Sequence, residues 1–224
     1  MEITPGGLAA LIDHTLLKPE ATAGQIRELC REAAEYGFKA VCINPCYVAL
    51  ATKELNRSAL VCAVVGFPLG AARSRIKAAE AALAVSEGAR EIDMVMNIGY
   101  LKSGMLKETG ADLEEVIRRV KGEDPAALVK VILETCVLTE QEIITACRLV
   151  ADAGGDFVKT STGFNAYGAK AEDIRLMRQT VGPDMGIKAA GGITNRAAAL
   201  SMLEAGATRL GASAGVKIIK EMSR

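Results

Sequence analysis

Residues 129 to 160 have the sequence VKVILETCVLTEQEIITACRLVADAGGDFVKT, and this stretch decides the fold. Two short runs rich in β-branched residues, Val129–Glu134 and Asp156–Thr160, have the composition of buried strands. Between them lies Glu140–Ala153, where apolar residues recur at helical spacing. A strand, a helix and a second strand in this order predict a parallel βαβ unit.

The ends of the central helix carry recognisable caps. Thr139 is followed three residues later by Glu142, which predicts a capping box at the helix start. Gly154 follows the helix, where glycine takes the left-handed conformation without steric cost. Similar caps recur along the chain, with threonine at predicted helix starts and glycine at predicted ends: Thr22, Thr194, Gly37, Gly88 and Gly206.

The same alternation extends over the whole sequence. The strand candidates are Leu11–Leu16, Lys39–Ile43, Leu60–Gly66, Glu91–Met96, Val129–Glu134, Asp156–Thr160, Gly186–Ala189 and Arg209–Gly211. The helices that follow them are Ala23–Tyr36, Tyr47–Leu55, Ala71–Glu87, Leu106–Val120, Glu140–Ala153, Ala171–Thr180, Asn195–Glu204 and Ser213–Met222. Eight such pairs predict a (β/α)₈ TIM barrel.

The chain is expected to form one domain over residues 1–224, because neither a Pro- or Ser-rich linker nor a charge run divides it. A doubly wound open sheet is the structural alternative. It is disfavoured because no GxGxxG motif follows the first strand and because the late strands are short, which suits closure.

Composition excludes several classes of protein. Of 224 residues, 50% are hydrophobic and 4% are aromatic, and 27 basic residues balance 27 acidic ones. This balance lacks the basic excess of a nucleic-acid-binding protein and the low hydrophobicity of a disordered chain. The longest uncharged stretch, Ser58 to Ala72, has 15 residues and contains Pro68, which predicts no membrane span.

The cysteine and histidine content limits the kinds of catalytic chemistry and the cellular compartment that the sequence allows. The six cysteines form no CxxC pair, so we expect free thiols and no zinc cluster. His14 is the one histidine, so several imidazoles cannot hold a catalytic metal together. The N-terminus lacks the positive charge of a secretory signal, and we expect a cytoplasmic protein.

Polar side chains lie at or near the C-terminal ends of five predicted strands, where barrel enzymes place their active sites although strand interiors are expected to be apolar. They are Asp13, His14 and Thr15 in the first strand, Asp93 and Asn97 in or after the fourth, Lys130 and Glu134 in the fifth, Lys159 and Thr160 in the sixth, and Lys188 in the seventh.

Lys159 and Lys188 are candidates for an amine nucleophile and its electrostatic partner, with Asp93 nearby. An ordinary lysine, with a pKa near 10.4, is neutral in only about one molecule in a thousand at neutral pH. A second ammonium group within about 4 Å and partial burial both favour the neutral amine, which is how Schiff-base lysines are made reactive. The alternatives are a surface ion pair for each lysine and a buried structural carboxylate for Asp93.

Glycine-rich segments after the last two strands predict a phosphate site. Bare backbone amides at helix N-termini favour anions, and the loops after strands seven and eight of such barrels commonly bind phosphate. Ordinary turn glycines are the alternative. The candidate residues are Gly191, Gly192, Gly211, Ala212 and Ser213.

Taken together, these segments resemble the deoxyribose-phosphate aldolase family of class I, Schiff-base-forming aldolases, nearly from end to end. The segments that carry the resemblance are Asp13–Lys18, Val41–Pro45, Val65–Pro68, Glu91–Val95, Lys130–Thr135, Val158–Phe164, Lys188–Gly192 and Arg209–Gly215.

The resemblance implies reversible cleavage of 2-deoxy-D-ribose 5-phosphate to D-glyceraldehyde 3-phosphate and acetaldehyde, with no metal or organic cofactor, in a homodimer. Lys159 would form the imine, Lys188 would favour its neutral amine, and Asp93 would move protons through a water. The supporting polar residues would be Asp13, Thr15, Cys42, Lys130, Glu134 and Thr160. For Cys42 a packed structural thiol is favoured over a reactive one.

The sequence departs from the family at two places near the predicted phosphate site. The arginine that often follows the Gly-Gly pair is absent from Ile193–Asn195 and Arg196 comes later, while Lys170 replaces a commonly uncharged residue. Two other functions remain open: a different barrel enzyme at the same phosphate site, either an isomerase with a carboxylate base or a related lysine-dependent aldolase, and a non-catalytic phosphosugar-binding barrel.

Overall fold

Eight parallel strands close into a barrel in which each strand pairs with the next and the last pairs with the first. A computed structural model describes residues 3–222. The strands are β1 (Ile12–Leu16), β2 (Ala40–Ile43), β3 (Leu60–Val65), β4 (Glu91–Val95), β5 (Leu128–Ile132), β6 (Phe157–Lys159), β7 (Gly186–Ala190) and β8 (Arg209–Ala212). The predicted (β/α)₈ barrel is confirmed.

Helices surround the barrel and return the chain from each strand to the next. They are α1 (Pro5–Ala9), α2 (Ala23–Tyr36), α3 (Val48–Leu55), α4 (Ser74–Ser86), α5 (Ile98–Lys102), α6 (Leu106–Glu123), α7 (Glu140–Asp152), α8 (Ala171–Val181), α9 (Arg196–Glu204) and α10 (Gly215–Met222). No helix within residues 3–222 is long and apolar enough to cross a bilayer.

The predicted threonine caps are confirmed in two of three cases. Thr22 and Thr139 each form a capping box with the side chain three residues later. The prediction for Thr194 was wrong, because α9 begins one residue later and Asn195 accepts a hydrogen bond from the backbone of Ala198 at 2.8 Å. Asparagine caps a helix at least as well as threonine, so the adjacent Asn195 takes the position.

Several boundaries differ from the predicted ones. The short helices α1 and α5 were not predicted, because five residues are too few to show a helical period. The helix predicted from Tyr47 begins at Val48 after a 3₁₀ turn over Pro45–Tyr47. The helix predicted from Ala71 begins at Ser74.

The fifth strand is shorter than predicted at its C-terminal end. It stops at Ile132, and Glu134 takes a left-handed conformation with φ 60°, which is rare for a residue with a side chain. The sixth strand also stops early, at Lys159, so Thr160 lies just beyond it.

Two apolar clusters flank the barrel wall. The larger one fills the space between strands and helices, and the smaller one lies inside the barrel, around Ala40, Cys42, Cys62 and Val64. The interior also contains a group of buried charged side chains, which corrects the expectation of apolar strand interiors. Alternate residues of a strand face opposite sides, so the charged positions recur at a spacing of two, as in Glu91 and Asp93.

Candidate active site

Asp93 lies at the centre of the charged interior and contacts three lysines. Its Oδ2 accepts hydrogen bonds from the Nζ of Lys159 at 2.6 Å and of Lys188 at 2.7 Å. Its Oδ1 accepts one from the Nζ of Lys130 at 2.8 Å. The structure therefore brings together Lys159, Lys188 and Asp93, the three predicted catalytic residues, and adds Lys130 to them.

A second layer of charge lies below this carboxylate. The Nη1 of Arg209 lies 2.7 Å from Asp13 Oδ1 and 2.8 Å from Glu91 Oε2. Lys130 Nζ lies 2.6 Å from Glu91, and Lys188 also donates to Asp13. All these groups are at least nine-tenths buried. The interior network thus contains three carboxylates and four basic side chains.

Sequence reasoning missed Glu91 and Arg209. Both lie near the N-terminal ends of their strands, away from the mouth where polar residues were sought. The spacing along each strand could have revealed them. Residues two apart in a strand face the same side of the sheet, so Glu91 faces the barrel interior with Asp93, and Arg209 faces it with Gly211.

The network fixes the charge of its carboxylates. Burial alone would raise the pKa of the Asp93 carboxyl, but the ammonium groups of Lys130, Lys159 and Lys188 outweigh burial and hold that pKa well below its ordinary value. Burial opposes ionisation of Asp13 in the same way, and Lys188, Lys130 and Arg209 lower its pKa to about 2.

The same attraction keeps two lysines charged. Burial would lower the pKa of Lys188, but the carboxylates of Asp13 and Asp93 raise it above the ordinary value. Lys130 behaves likewise, since burial is outweighed by Asp93 and by further neighbours that include Glu91. Lys188 is therefore a permanent cation close to Lys159, because both amines touch one oxygen of Asp93.

Two thiols adjoin Asp93 from β2 and β3. Cys62 Sγ lies 3.1 Å from Asp93 Oδ1, and Cys42 Sγ lies 3.8 Å from Oδ2. Both thiols together with Asp93, and Cys62 together with Asp13 and Glu91, form groups compact enough to hold one cation. The carboxylates of both groups already contact Lys130, so a divalent ion would meet an ammonium group there.

A cavity of about 400 Å³ opens above Lys159. The predicted phosphate-binding residues all line it, together with Thr15, Thr162 and the segment from Leu16 to Lys18. Successive left-handed glycines, Gly191 and Gly192, turn the backbone along its wall. The structure thus joins the predicted amine nucleophile and the predicted anion site in one cavity. Other predicted residues lie outside the lining: Asp13, Cys42, Asp93, Lys130, Glu134, Thr160 and Lys188.

Glu134 and Thr160 connect the strands around Lys159. Glu134 accepts hydrogen bonds from the backbone amide and the hydroxyl of Thr162, which holds the loop that follows Lys159. Thr160 Oγ1 donates to the carbonyl of Ala190 at 3.2 Å and accepts from its amide at 3.1 Å. These two residues therefore position the backbone on both sides of the cavity.

Two side chains at the mouth were not predicted to matter. Phe67, after β3, makes an edge-to-face contact with Phe164, after β6, with ring centroids 5.2 Å apart.

His14 faces outward from the barrel, where its Nε2 lies 2.6 Å from Glu32, so the polar residue predicted in β1 does not join the site.

The sequence is similar to known aldolases along nearly its whole length. A family model described as DeoC/LacD family aldolase matches residues 8–221. A protein of Enterococcus faecalis named deoxyribose-phosphate aldolase is 55% identical over 213 residues, covering 95% of this chain and 96% of that protein. One of Carboxydothermus hydrogenoformans with the same name is 54% identical over 214 residues, covering 95% and 94%.

Solved structures agree. A putative deoxyribose-phosphate aldolase from Coccidioides immitis superposes with a TM-score of 0.93 at 42% identity, over 100% of this chain and 88% of that one. The tetrameric deoxyribose phosphate aldolase from Aeropyrum pernix gives 0.90 at 32% identity, over 98% and 92%. The chain belongs to the DeoC/LacD family of aldolases.

Proposed function

We propose that the protein is a deoxyribose-phosphate aldolase that cleaves 2-deoxy-D-ribose 5-phosphate reversibly to D-glyceraldehyde 3-phosphate and acetaldehyde, through a Schiff base on Lys159. One observation carries this proposal. The Lys159 amine lies at the base of the cavity, 2.6 Å from Asp93 and beside the permanent cation of Lys188. A nucleophilic lysine needs such a setting, because it must lose its proton before it attacks a carbonyl.

Charge balance in the barrel supports Lys159 as the nucleophile. The network has three carboxylates and four basic groups, so it is neutral when one of the four carries no charge. Arg209 stays protonated, and Lys130 and Lys188 are held charged by their carboxylates. Lys159 is the one of these four basic groups that lines the cavity, so it is the group placed to react with a substrate.

The proposed reaction starts with addition of the Lys159 amine to the aldehyde carbon of the open-chain sugar. Loss of water gives an iminium, which is the electron sink for the next step. The 3-hydroxyl then loses its proton, the C2–C3 bond breaks, and glyceraldehyde 3-phosphate leaves. The enamine that remains takes a proton at C2, and hydrolysis of the imine releases acetaldehyde.

Asp93 is proposed to move these protons, through a water molecule where it does not touch the reacting atom. Three ammonium groups hold its pKa low in the resting site. When Lys159 becomes neutral, one of the three is lost, and the carboxylate becomes a better proton acceptor at that step. Asp13, Thr15, Cys42, Lys130, Glu134 and Thr160 are proposed as supporting residues that hold this arrangement.

The phosphate is proposed to bind at the opposite end of the cavity, on the backbone amides of the glycine-rich segments. Left-handed glycines in sequence expose consecutive amides to one point, which suits an anion. The residues concerned are Gly191, Gly192, Gly211, Ala212 and Ser213.

Reductive trapping tests the proposal. The protein is incubated with acetaldehyde and sodium borohydride, and the reduced adduct is mapped by peptide mass spectrometry. We expect one ethyl group on Lys159 and loss of both adduct and cleavage activity in Lys159→Met. An adduct on Lys188 or Lys130 would reassign the roles. The absence of a site-selective adduct would favour an isomerase or a binding protein.

We infer that the whole chain, residues 1–224, is one catalytic domain that works as a homo-oligomer in the cytoplasm, with a homodimer as the expected form. The six cysteines are all free, as in a reducing compartment. Light scattering coupled to size-exclusion chromatography measures the assembly, and a monomer at micromolar concentration would contradict this expectation.

A further inference from the structure

The cavity above Lys159 carries positive charge on one other side chain. Among the described residues that line it, Lys18 and Lys159 are basic and none is acidic. Lys159 is ion-paired with Asp93, whereas the exposed ammonium group of Lys18 has no carboxylate partner in the described part of the chain. The cavity therefore contains one cation that is available to a ligand.

The backbone around Lys18 is held in place while its side chain is not. Asn44 Nδ2 donates to the carbonyl of Leu17 at 3.2 Å, and the Lys18 carbonyl accepts from the amide of Ala21 at 3.0 Å. The Tyr47 hydroxyl donates to the Ala21 carbonyl at 2.7 Å. These three hydrogen bonds form a clamp that fixes the backbone at Lys18. Because the backbone is already fixed, less entropy is lost when a ligand orders the Lys18 side chain.

The register of the barrel places this clamp beside the glycine-rich end of the cavity. β1 pairs with β8, and His14 is opposite Ala212, so the chain that continues to Lys18 passes the segment from Ala212 to Ser213. Both segments line the same cavity. An anion on the amides of that segment would therefore lie within reach of a long cationic side chain.

We propose that Lys18 is a specificity-determining residue that binds the phosphate group of the substrate and sets the preference for the phosphorylated over the unphosphorylated sugar. This inference rests on the proposed function. A charge-assisted hydrogen bond from an ammonium group to a phosphate oxygen is roughly twice as strong as a neutral one. It supplements backbone amides, which carry only partial charge.

Two neighbouring cations do not replace Lys18. Arg196 is absent from the cavity lining, and its backbone amide is bound to Glu221 at 2.9 Å. Lys170 is also absent from the lining, and its ammonium group lies 3.8 Å from the centre of the Tyr167 ring. Lys170 is therefore a matched control, as an exposed lysine near the cavity but outside it.

The test compares kcat/KM for 2-deoxy-D-ribose 5-phosphate with kcat/KM for 2-deoxy-D-ribose in each variant. We expect the preference for the phosphorylated sugar to fall about tenfold in Lys18→Gln, which corresponds to about 1.4 kcal/mol. Lys18→Arg should keep most of the preference because it keeps the charge. Lys170→Gln should show the wild-type preference. A preference within twofold of wild type in Lys18→Gln, or an equal loss in Lys170→Gln, would overturn the proposal.

Binding of inorganic phosphate separates this inference from the proposed function. A phosphorus NMR titration needs no turnover, so it reports on the site even if the protein does not cleave deoxyribose phosphate. We expect weaker phosphate binding in Lys18→Gln than in wild type and in Lys170→Gln. Equal phosphate binding in all three proteins would refute the role of Lys18. The absence of imine formation on Lys159 would instead refute the proposed aldolase activity.

Discussion

At the scale of single residues, the site depends on one carboxylate oxygen that two lysine side chains contact. Asp93 Oδ2 contacts the amines of both Lys159 and Lys188, so a change in the charge of one lysine is felt by the other. Lys188 is fixed as a cation by Asp13 and Asp93 despite its burial. Its charge is therefore a constant part of the environment of the Lys159 amine.

Removal of that charge should alter the pH dependence of catalysis. In Lys188→Leu, we expect a lower rate and a pH optimum shifted upward, because without the neighbouring cation the protonated form of Lys159 persists to higher pH. The pH profile of kcat/KM in the cleavage direction measures this. A slower enzyme with an unchanged profile would contradict the electrostatic role and leave Lys188 a positioning residue. Lys188→Arg, which keeps the charge, is the control.

At the scale of elements, the helix that follows β5 owes its start to one capping box. The Thr139 hydroxyl accepts from the amide of Glu142 at 3.3 Å, and the Glu142 carboxylate accepts from the amide of Thr139 at 2.8 Å. Two amides that would lack partners are satisfied in this way. The box also fixes the direction in which α7 leaves the end of β5.

Loss of this cap should destabilise the protein measurably. We expect Thr139→Ala to lower the free energy of unfolding by about 1 kcal/mol, in the range seen for helix caps. Urea denaturation followed by circular dichroism measures the change. Thr145→Ala is the control, since its hydroxyl bonds within the same helix, to the carbonyl of Gln141, and alanine suits a helix interior. Equal effects in both variants would contradict a capping role for Thr139.

The elements were largely predictable because each carries a local signal. The strands could be found because apolar, β-branched runs are short and bounded. Thr139 was identified as a cap from its spacing to Glu142, and Thr22 from its position just before a predicted helix. Asn195 was missed because a threonine precedes it directly and both residues can cap. The end of β5 was misplaced because the left-handed conformation of Glu134 depends on its bonds to Thr162, which is distant in sequence.

At the scale of the whole molecule, the charge network ties six strands together. Its members come from β1, β4, β5, β6, β7 and β8. The three catalytic candidates were predictable because they lie near strand ends, where barrels place their active sites. The pairing of Arg209 with Asp13 and Glu91 could not be foreseen, because it depends on closure between the first and last strands.

This network should make stability depend on pH in acid. The pKa of Asp13 falls from 3.8 to about 2 on folding, so the unfolded chain binds a proton more readily than the native protein. The stability gained, about 2 kcal/mol, is fully present above about pH 5 and is lost progressively as the pH falls through 3.8 toward 2. The lowered pKa of Asp93 acts in the same direction.

Urea unfolding at a series of pH values between 5 and roughly 2.5 checks this expectation. Asp13→Asn removes the titrating group, so its stability should be lower at neutral pH and should change less steeply in acid. Asp184→Asn, at an exposed aspartate outside the network, should follow the wild-type slope. Identical slopes for Asp13→Asn and wild type would show that Asp13 does not carry the effect.

The aromatic contact between Phe67 and Phe164 divides the rim of the barrel. The cavity is lined by residues in or after β1, β6, β7 and β8, and Phe67 reaches it only through Phe164. We therefore expect a ligand to enter from the sector of β1, β6, β7 and β8, with Phe164 at the edge of that sector. A substitution at Phe67, which is absent from the cavity lining, is therefore expected to change the packing of Phe164 while the glycine-rich end of the cavity stays intact.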